Sequence, residues 1–158
     1  SLFKVFILQA IVMWCISLAP QFGQMSPSPN QLTWLDIVGA CVWTSGFMFE
    51  SIGDWQLARF KSNPDNKGKV MDQGLWAYSR HPNYFGEFLV WWGIFLITLS
   101  TPHSWWTIIS PVIITAVLLK MTGIPLTEKA LKEKRPEYSD YIQRTSAFVP
   151  WWPAKEGT

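Results

Sequence analysis

One uncharged stretch constrains this chain more than any other feature of its sequence. Between residues 88 and 119, 32 residues in a row, there is no Asp, Glu, Lys or Arg, and between residues 5 and 49 the only charged side chain is Asp36. Crossing about 30 Å of hydrocarbon takes roughly 20 helical residues, since each residue rises about 1.5 Å. A pair of core helices in a soluble domain is the alternative, but such a pair does not require so long an uncharged run. The stretch therefore predicts helices that cross a membrane.

The apolar segments divide into four predicted spans, at residues 2–19, 32–49, 84–99 and 105–121. The last two are short and are joined by TPHS, so we expect them to form a helical hairpin. The predicted fold class is an all-α integral membrane protein with about four transmembrane helices, including this hairpin, and a cytoplasmic C-terminal helix. Residues 1–158 are expected to form a single membrane domain. Because the chain starts without Met and directly in an apolar segment, we expect it to be the C-terminal part of a longer multi-helix protein.

The basic residues predict how this protein lies in the membrane. All 13 Lys and Arg residues fall at one end of the four spans, and the linkers at the other end, QFGQMSPSPNQ and TPHS, contain none. The positive-inside rule then places both chain ends and the polar segments 50–83 and 122–158 in the cytoplasm. A net charge of +2 does not favour a nucleic-acid partner. Cys15 and Cys41 fall inside predicted spans and predict neither a disulfide framework nor a metal site.

The second span is expected to extend beyond the membrane. Glu50, Asp54, Leu57 and Lys61 recur at helical spacing, so the helix should continue into the cytoplasm and end near SNPDNKG. Asp54 and Lys61 then share one face, two turns apart.

The C-terminal segment predicts a further helix on the same side. Thr127 is expected to cap this helix just before Glu128. Tyr138, Tyr141 and Arg144 follow at intervals of three, which places them on one helical face. Trp151 and Trp152, beside prolines, are expected at the level of the lipid headgroups.

The densest polar chemistry lies in GLWAYSRHPNYFGE, residues 74–87, at the start of the third span. Together with the neighbouring segments it brings cations, aromatic rings and amides to one membrane face, as a polar, negatively charged ligand would require. Arg80, Lys61 and Tyr84 have an alternative interpretation as side chains that mark the lipid boundary. Glu87 does not, because a carboxylate inside a membrane span is costly and by default indicates function.

These residues resemble a known superfamily. Residues 50–61, 74–87 and the stretch from Glu128 through YSDYIQRTSAFVPWWP are similar to the C-terminal domain of the steroid 5-alpha-reductase superfamily, and most closely to a bacterial-type branch labelled only as a domain of unknown function. The resemblance covers roughly 110 of the residues, and the 14-residue central motif is its most specific part. The superfamily also includes sterol C14 and C7 reductases and isoprenylcysteine carboxyl methyltransferases. The resemblance therefore implies a fold more firmly than a reaction.

Two cofactors follow from the resemblance. In the reductases this half of the protein resembles an NADPH site, whereas in the methyltransferases an Arg-His-Pro-(small)-Tyr turn and a C-terminal Glu hold S-adenosylmethionine. Asn83 and Glu87 match the reductase form, as do Asp54 and Lys61, while Glu128 also suits the methyltransferase tail. The phosphates of NADPH favour cations, whereas a sulfonium favours acids and aromatic faces. We therefore expect a reductase that transfers hydride to a carbon-carbon double bond of a steroid-like or other lipid.

The cofactor-binding segments are expected to be 50–87 and 122–152. In chain order, the residues assigned to the cofactor are Asp54, Lys61, Trp76, Tyr78, Arg80, His81, Asn83, Tyr84, Glu128, Tyr138, Tyr141 and Arg144, with Glu87 as the catalytic residue and no metal ligand. Asn83 and Glu87, one turn apart, are expected to form a buried polar pair at the reactive end of the cofactor. Two alternatives remain open: an S-adenosylmethionine-dependent membrane methyltransferase, and a non-catalytic accessory subunit of a membrane complex.

Overall fold

A computed structural model of the chain describes residues 2–27, 31–121 and 123–154. Within these residues no strand forms, and an isolated parallel bridge joins Ser79 to Ser146. The α-helices are α1 (Leu2–Ile16), α2 (Leu18–Met25), α3 (Trp34–Ser62), α4 (Pro82–Thr98), α5 (Ile109–Ala116), α6 (Ile124–Lys134) and α7 (Tyr138–Arg144). The prediction of an all-helical chain is thus confirmed for the described residues. Thr122, where the second cofactor segment was expected to begin, and Lys155, one of the 13 basic residues, lie outside them.

Two helical stretches, Trp34–Ser62 and Trp105–Lys134, are long and apolar enough to cross a membrane. A third arises if Val5–Ile16 and Leu18–Met25, which meet at a 45° bend, form one span. Helix α4 has 17 residues, or about 26 Å of helix, which is the lower limit for a span. The described helices therefore indicate a membrane protein with two or three candidate spans, compared with the four that the sequence predicts.

The C-terminal region differs from the prediction. Helix α6 begins at Ile124, not at Thr127, and Thr127 lies inside it with its hydroxyl donating to the carbonyl oxygen of Gly123 at 2.9 Å. Pro125 occupies the first turn, where its missing N–H costs nothing. The expected single helix is also divided in two, because α6 ends at Lys134 and α7 begins after Pro136.

The chain forms two compact units. The first contains the residues up to Ser45 together with Phe88–Val117. In it, the Ser110 hydroxyl accepts from the backbone N–H of Ala19 and donates to the carbonyl oxygen of Cys15, both at 3.1 Å, which ties α5 to α1 and α2. A Cβ on Gly93 would lie 2.8 Å from the carbonyl oxygen of Gly39, so α3 and α4 touch backbone to backbone there.

The second unit contains Gly46–Glu87 and the residues from Leu118 onward. Here too α3 and α4 are in close contact, because a Cβ on Gly86 would lie 2.4 Å from the backbone nitrogen of Glu50 and 2.6 Å from the carbonyl oxygen of Gly46. Phe85 packs edge-on against Phe49 at a ring-centroid distance of 5.5 Å. Every residue that the sequence assigns to a functional site belongs to this unit.

Candidate functional site

The turn Gly74–Ala77 is docked against the C-terminal half of α3. Gly74 has a positive φ of 61°, a conformation that a glycine adopts without strain, and it brings the next residues against the helix. The backbone N–H of Leu75 donates to Oε1 of Gln56, and the indole N–H of buried Trp76 donates to the carbonyl oxygen of Gly53, both at 3.0 Å. Trp76 is thereby fixed in position relative to α3.

Arg80 holds α6 and the end of α7 together. Its Nε and Nη2 both lie 2.8 Å from Oε1 of Glu128, and its Nη1 donates to the carbonyl oxygens of Ile142, at 3.0 Å, and Thr145. Arg80 is 8% exposed and the Glu128 side chain 14%. The guanidinium that the sequence assigns to a cofactor phosphate is therefore engaged by the protein's own oxygens. These contacts give Arg80 a structural role and do not support phosphate binding by it.

His81 lies beside this ion pair. Its Nε2 is 3.4 Å from Oε1 of Glu128, and its ring stacks on Tyr84 at a centroid distance of 5.3 Å and an angle of 5°. Burial lowers the pKa of His81 to about 4, against the opposing attraction of Glu128. The imidazole is therefore neutral at pH 7. The Tyr84 hydroxyl lies 3.4 Å from Oγ1 of Thr127 and so reaches α6.

The expected pair of Asn83 and Glu87 does not form. The Asn83 amide donates to Oδ1 of Asp54 at 3.0 Å, across to α3, which is in close contact with α4 here, since a Cβ on Gly53 would lie 3.3 Å from the backbone nitrogen of Asn83. Glu87 instead lies near Glu50 and Asp54, close enough for their charges to repel. The buried Oδ1 of Asn83 has no hydrogen-bond partner among the described residues. The prediction of this pair was wrong, but Asn83 does present an unsatisfied acceptor.

Two tyrosines of α7 close the site from the C-terminal side. Tyr138 and Tyr141 are both 2% exposed, and the Tyr141 hydroxyl donates to the carbonyl oxygen of Trp76. Burial raises the pKa of Tyr138 to about 12 and also raises that of Tyr141, so both phenols remain protonated at pH 7. Arg144, at the end of α7, forms an ion pair with Asp72.

The segment after α7 lies against the loop that contains Tyr78 and Arg80. The backbone N–H of Arg80 donates to the carbonyl oxygen of Ser146 at 2.8 Å, and that of Trp151 donates to the carbonyl oxygen of Tyr78 at 3.0 Å. Tyr78 is exposed, and its ring meets that of Trp152 edge-on at 5.5 Å. Tyr78 thus supports the C-terminal segment.

These elements enclose a cavity of about 270 Å³, which we call the central cavity. Seven of the sequence-predicted residues line it, namely Lys61, Trp76, Arg80, His81, Asn83, Tyr84 and Tyr141. Asp54, Tyr78, Glu87, Glu128, Tyr138 and Arg144 are not among its lining residues. Asp54 and Glu128 nevertheless contact residues that line it, through Asn83 and through Arg80 and His81.

Sequence reasoning missed Arg135, which lines the central cavity beside Lys61. A second cavity of about 270 Å³, the loop cavity, is lined by the same two cations and by Lys67. The two cavities also share Leu57 and Met71 in their walls. No aspartate or glutamate lines either of them in the described part of the chain. Arg135 lies just after α6, in a run of Lys and Arg whose charge alone did not distinguish it.

A protein-family model matches residues 1–145, which is most of the chain, and its description reads "Protein of unknown function (DUF1295)". The chain belongs to the DUF1295 family. "Uncharacterized protein C594.04c" of Schizosaccharomyces pombe is 35% identical to it over 95 residues. This match covers 58% of the chain and 27% of the yeast protein, so the chain spans about a quarter of the length of that relative. No solved structure gives a significant match.

Proposed function

We propose that this DUF1295 protein is a membrane-embedded, NADPH-dependent reductase of a carbon-carbon double bond in a steroid-like or other lipid. The observation that supports this proposal most is the charge of the two adjoining cavities. Lys61 and Arg135 line both, Lys67 lines the loop cavity, and no described carboxylate lines either. Such a site favours a ligand with several negative charges.

The cations fit the phosphates of a dinucleotide. NADPH has a pyrophosphate and a 2′-phosphate, and Lys61, Lys67 and Arg135 would hold them. Among the described residues, none of the three forms an ion pair with a carboxylate of the chain, in contrast to Arg80 and Arg144. Two cavities with a shared cationic wall also suit a ligand with two bulky ends, whereas a single compact pocket would not.

The buried Oδ1 of Asn83 fits the other end of the same cofactor. A buried acceptor without a donor is costly, and a carboxamide N–H would satisfy it. Asp54 fixes the orientation of the Asn83 side chain by accepting from its NH₂ group, which points the oxygen away from Asp54. Bound NADPH would supply hydride. Glu87, which the sequence predicts as the catalytic residue, does not line the central cavity, so its role stays a prediction.

The finer topology belongs to the same proposal. We place four spans in the membrane by counting α1 with α2, α3, α4 and the helical turns from Trp105 onward, with the central cavity on the cytoplasmic side. The resemblance of residues 50–61 and 74–87 to the steroid 5-alpha-reductase superfamily, noted from the sequence, supports this arrangement and the choice of cofactor.

S-adenosylmethionine is the second candidate, and one observation favours it. Glu50, Asp54 and Glu87 gather beside Asn83, where three acids would suit a sulfonium. Glu128, the acid of the methyltransferase pattern, is instead engaged by Arg80 and His81. We therefore rank the reductase first and the methyltransferase second, with an accessory subunit as the function if neither cofactor binds.

Charge-removing variants test the proposal. In the full-length gene product, Lys61→Gln and Arg135→Gln should each weaken NADPH binding about ten- to a hundredfold, because each removes a charge-assisted contact with phosphate. Lys129→Gln, on an exposed part of α6, is the matched control and should leave the affinity unchanged. Equal losses in all three variants, or none in the first two, would contradict phosphate binding in these cavities.

A further inference from the structure

A third cavity adjoins the C-terminal end of α3 and shares Phe60, Asn63, Asn66 and Met71 with the loop cavity. Its volume is about 510 Å³, and we call it the α3-end groove. Residues of the last two turns of α3 and of the following loop line it, namely Trp55, Gln56, Arg59, Phe60, Ser62, Asn63, Asn66, Met71, Gln73 and Gly74. Trp55 and Arg59 fall inside the predicted cofactor-binding segment 50–87, but neither is among the residues assigned to the cofactor.

The length of α3 indicates the depth of this groove. Its 29 residues extend about 43 Å, whereas the hydrocarbon layer is about 30 Å thick and the bilayer with its headgroups about 40–45 Å. A helix of this length that crosses the membrane therefore extends through the headgroup region on at least one side, and the predicted span 32–49 places the excess length at the C-terminal end of α3. Residues 55–62 form the C-terminal end of α3, and the positive-inside rule places this end at the cytoplasmic face of the membrane.

The groove is suited to an anion. Arg59 is its only charged lining residue in the described part of the chain, and its guanidinium lies over the Trp55 ring, 5.5 Å from the centroid. The guanidinium forms no ion pair with the described carboxylates. Gln56 uses its carbonyl oxygen for the N–H of Leu75, which leaves its amide hydrogens for a ligand.

We propose that the α3-end groove binds the headgroup of an anionic phospholipid, with Arg59 on the phosphate. Arginine presents a planar fork of donors that matches a phosphate, and Trp at headgroup level packs against the glycerol and upper acyl region. A choline or ethanolamine cation would find no carboxylate there, and Arg59 already covers the indole face that it could otherwise use. The groove therefore discriminates in favour of a net negative lipid.

The proposed lipid site and the proposed cofactor site have different cations in their walls. Residues 59 and 61 are two positions apart on one helix, which turns their side chains about 200° from each other. Arg59 lines only the α3-end groove, and Lys61 lines only the central and loop cavities. Replacing either cation by glutamine changes the net charge of the protein by the same amount. Comparing the two variants therefore distinguishes lipid binding in the groove from a general attraction of anionic lipids to the basic surface.

The experiment is a lipid competition measured by native mass spectrometry. The full-length protein in detergent receives equal amounts of phosphatidylglycerol and phosphatidylcholine with the same acyl chains. The measured quantity is the ratio of bound phosphatidylglycerol to bound phosphatidylcholine. The wild type should prefer phosphatidylglycerol, and Arg59→Gln should reduce this preference about fivefold, since one basic residue near an anionic surface contributes about that factor. Lys61→Gln should leave the preference within about twofold.

Three results would overturn the lipid assignment. The first is a wild type without any preference for phosphatidylglycerol. The second is an equal loss in Arg59→Gln and Lys61→Gln, which would indicate a nonspecific charge effect. The third is displacement of bound phosphatidylglycerol by an equal concentration of glycerol phosphate, which would assign the groove to a soluble phosphate. A thermal unfolding midpoint equal to that of the wild type confirms that Arg59→Gln is folded.

Discussion

The pairing of Arg80 with Glu128 predicts that both residues matter more for stability than for ligand binding. Each is mostly buried, and the guanidinium also satisfies the carbonyl oxygens of Ile142 and Thr145. Removing one member of a buried ion pair typically costs about 3–5 kcal/mol, because the other charge stays buried without a partner. We therefore expect Arg80→Met and Glu128→Met each to lower the free energy of unfolding by about 3 kcal/mol or more.

The double variant makes this expectation sharper. Arg80→Met with Glu128→Met removes both charges, so it should cost less than the sum of the single variants by about 2 kcal/mol or more. Some loss should remain, since two buried carbonyl oxygens then lack a donor. Denaturant titration of the detergent-solubilised protein, monitored by tryptophan fluorescence, measures all three values. Single variants within about 1 kcal/mol of the wild type, or strictly additive losses, would refute the structural role and return Arg80 to the phosphate-binding role that the sequence predicts.

Three further predictions concern acid, helix packing and topology. The unfolded state binds a proton at His81 near pH 6.5, and the folded state binds one only near pH 4, so the free energy of unfolding should fall by about 2 kcal/mol between pH 7 and pH 5. This fall should be absent in His81→Gln. An equal acid sensitivity in that variant would contradict the neutral, buried imidazole. Gly86→Ala should lower the free energy of unfolding by more than about 2 kcal/mol, because the added Cβ would meet the backbone of α3. Gly23→Ala should lower it by less than about 1 kcal/mol, because the nearest neighbour of the added Cβ is a side-chain oxygen at 3.3 Å. Similar losses in unfolding titrations would contradict the close contact. A Cys placed at Ser26 in a protein without Cys15 and Cys41 should react with membrane-impermeant maleimide from the non-cytoplasmic side, and labelling from the cytoplasm alone would reverse the proposed orientation.

The helices could be predicted from the sequence where the pattern is local. The uncharged run from 88 to 119 contains most of α4 and all of α5, joined near TPHS, and the spacing of Glu50, Asp54 and Lys61 matched the continuation of α3 as far as Ser62. The start of α6 was missed although Pro125 marks it, because Thr127 offered a competing cap.

Seven of the residues that the sequence predicts for the candidate site lie together in one cavity, but the hydrogen-bond and ion-pair partners of its polar groups were not predicted. The central motif supplied Trp76, His81 and Asn83 to one cavity, as expected of neighbours in sequence. The partners of its polar groups lie far along the chain, for example Glu128, which is 48 residues from Arg80. One sequence carries no signal for such pairs, and the chemistry of each residue type admits several partners. The phosphate-binding role was therefore assigned to Arg80, which pairs with Glu128. Arg135 was missed, although among the described residues it forms no ion pair with a carboxylate and donates only to the carbonyl oxygen of Lys69.

Competitive binding to the wild-type protein tests the central claim most directly. The full-length gene product, held in lipid nanodiscs, is titrated with NADPH, and binding is followed by energy transfer from the tryptophans of the protein, Trp76 of the central cavity among them, to the reduced nicotinamide. We predict saturable binding of one NADPH per chain that excess S-adenosylmethionine does not displace. Binding of S-adenosylmethionine without any binding of NADPH would contradict the reductase and favour the methyltransferase, and binding of neither would favour an accessory subunit.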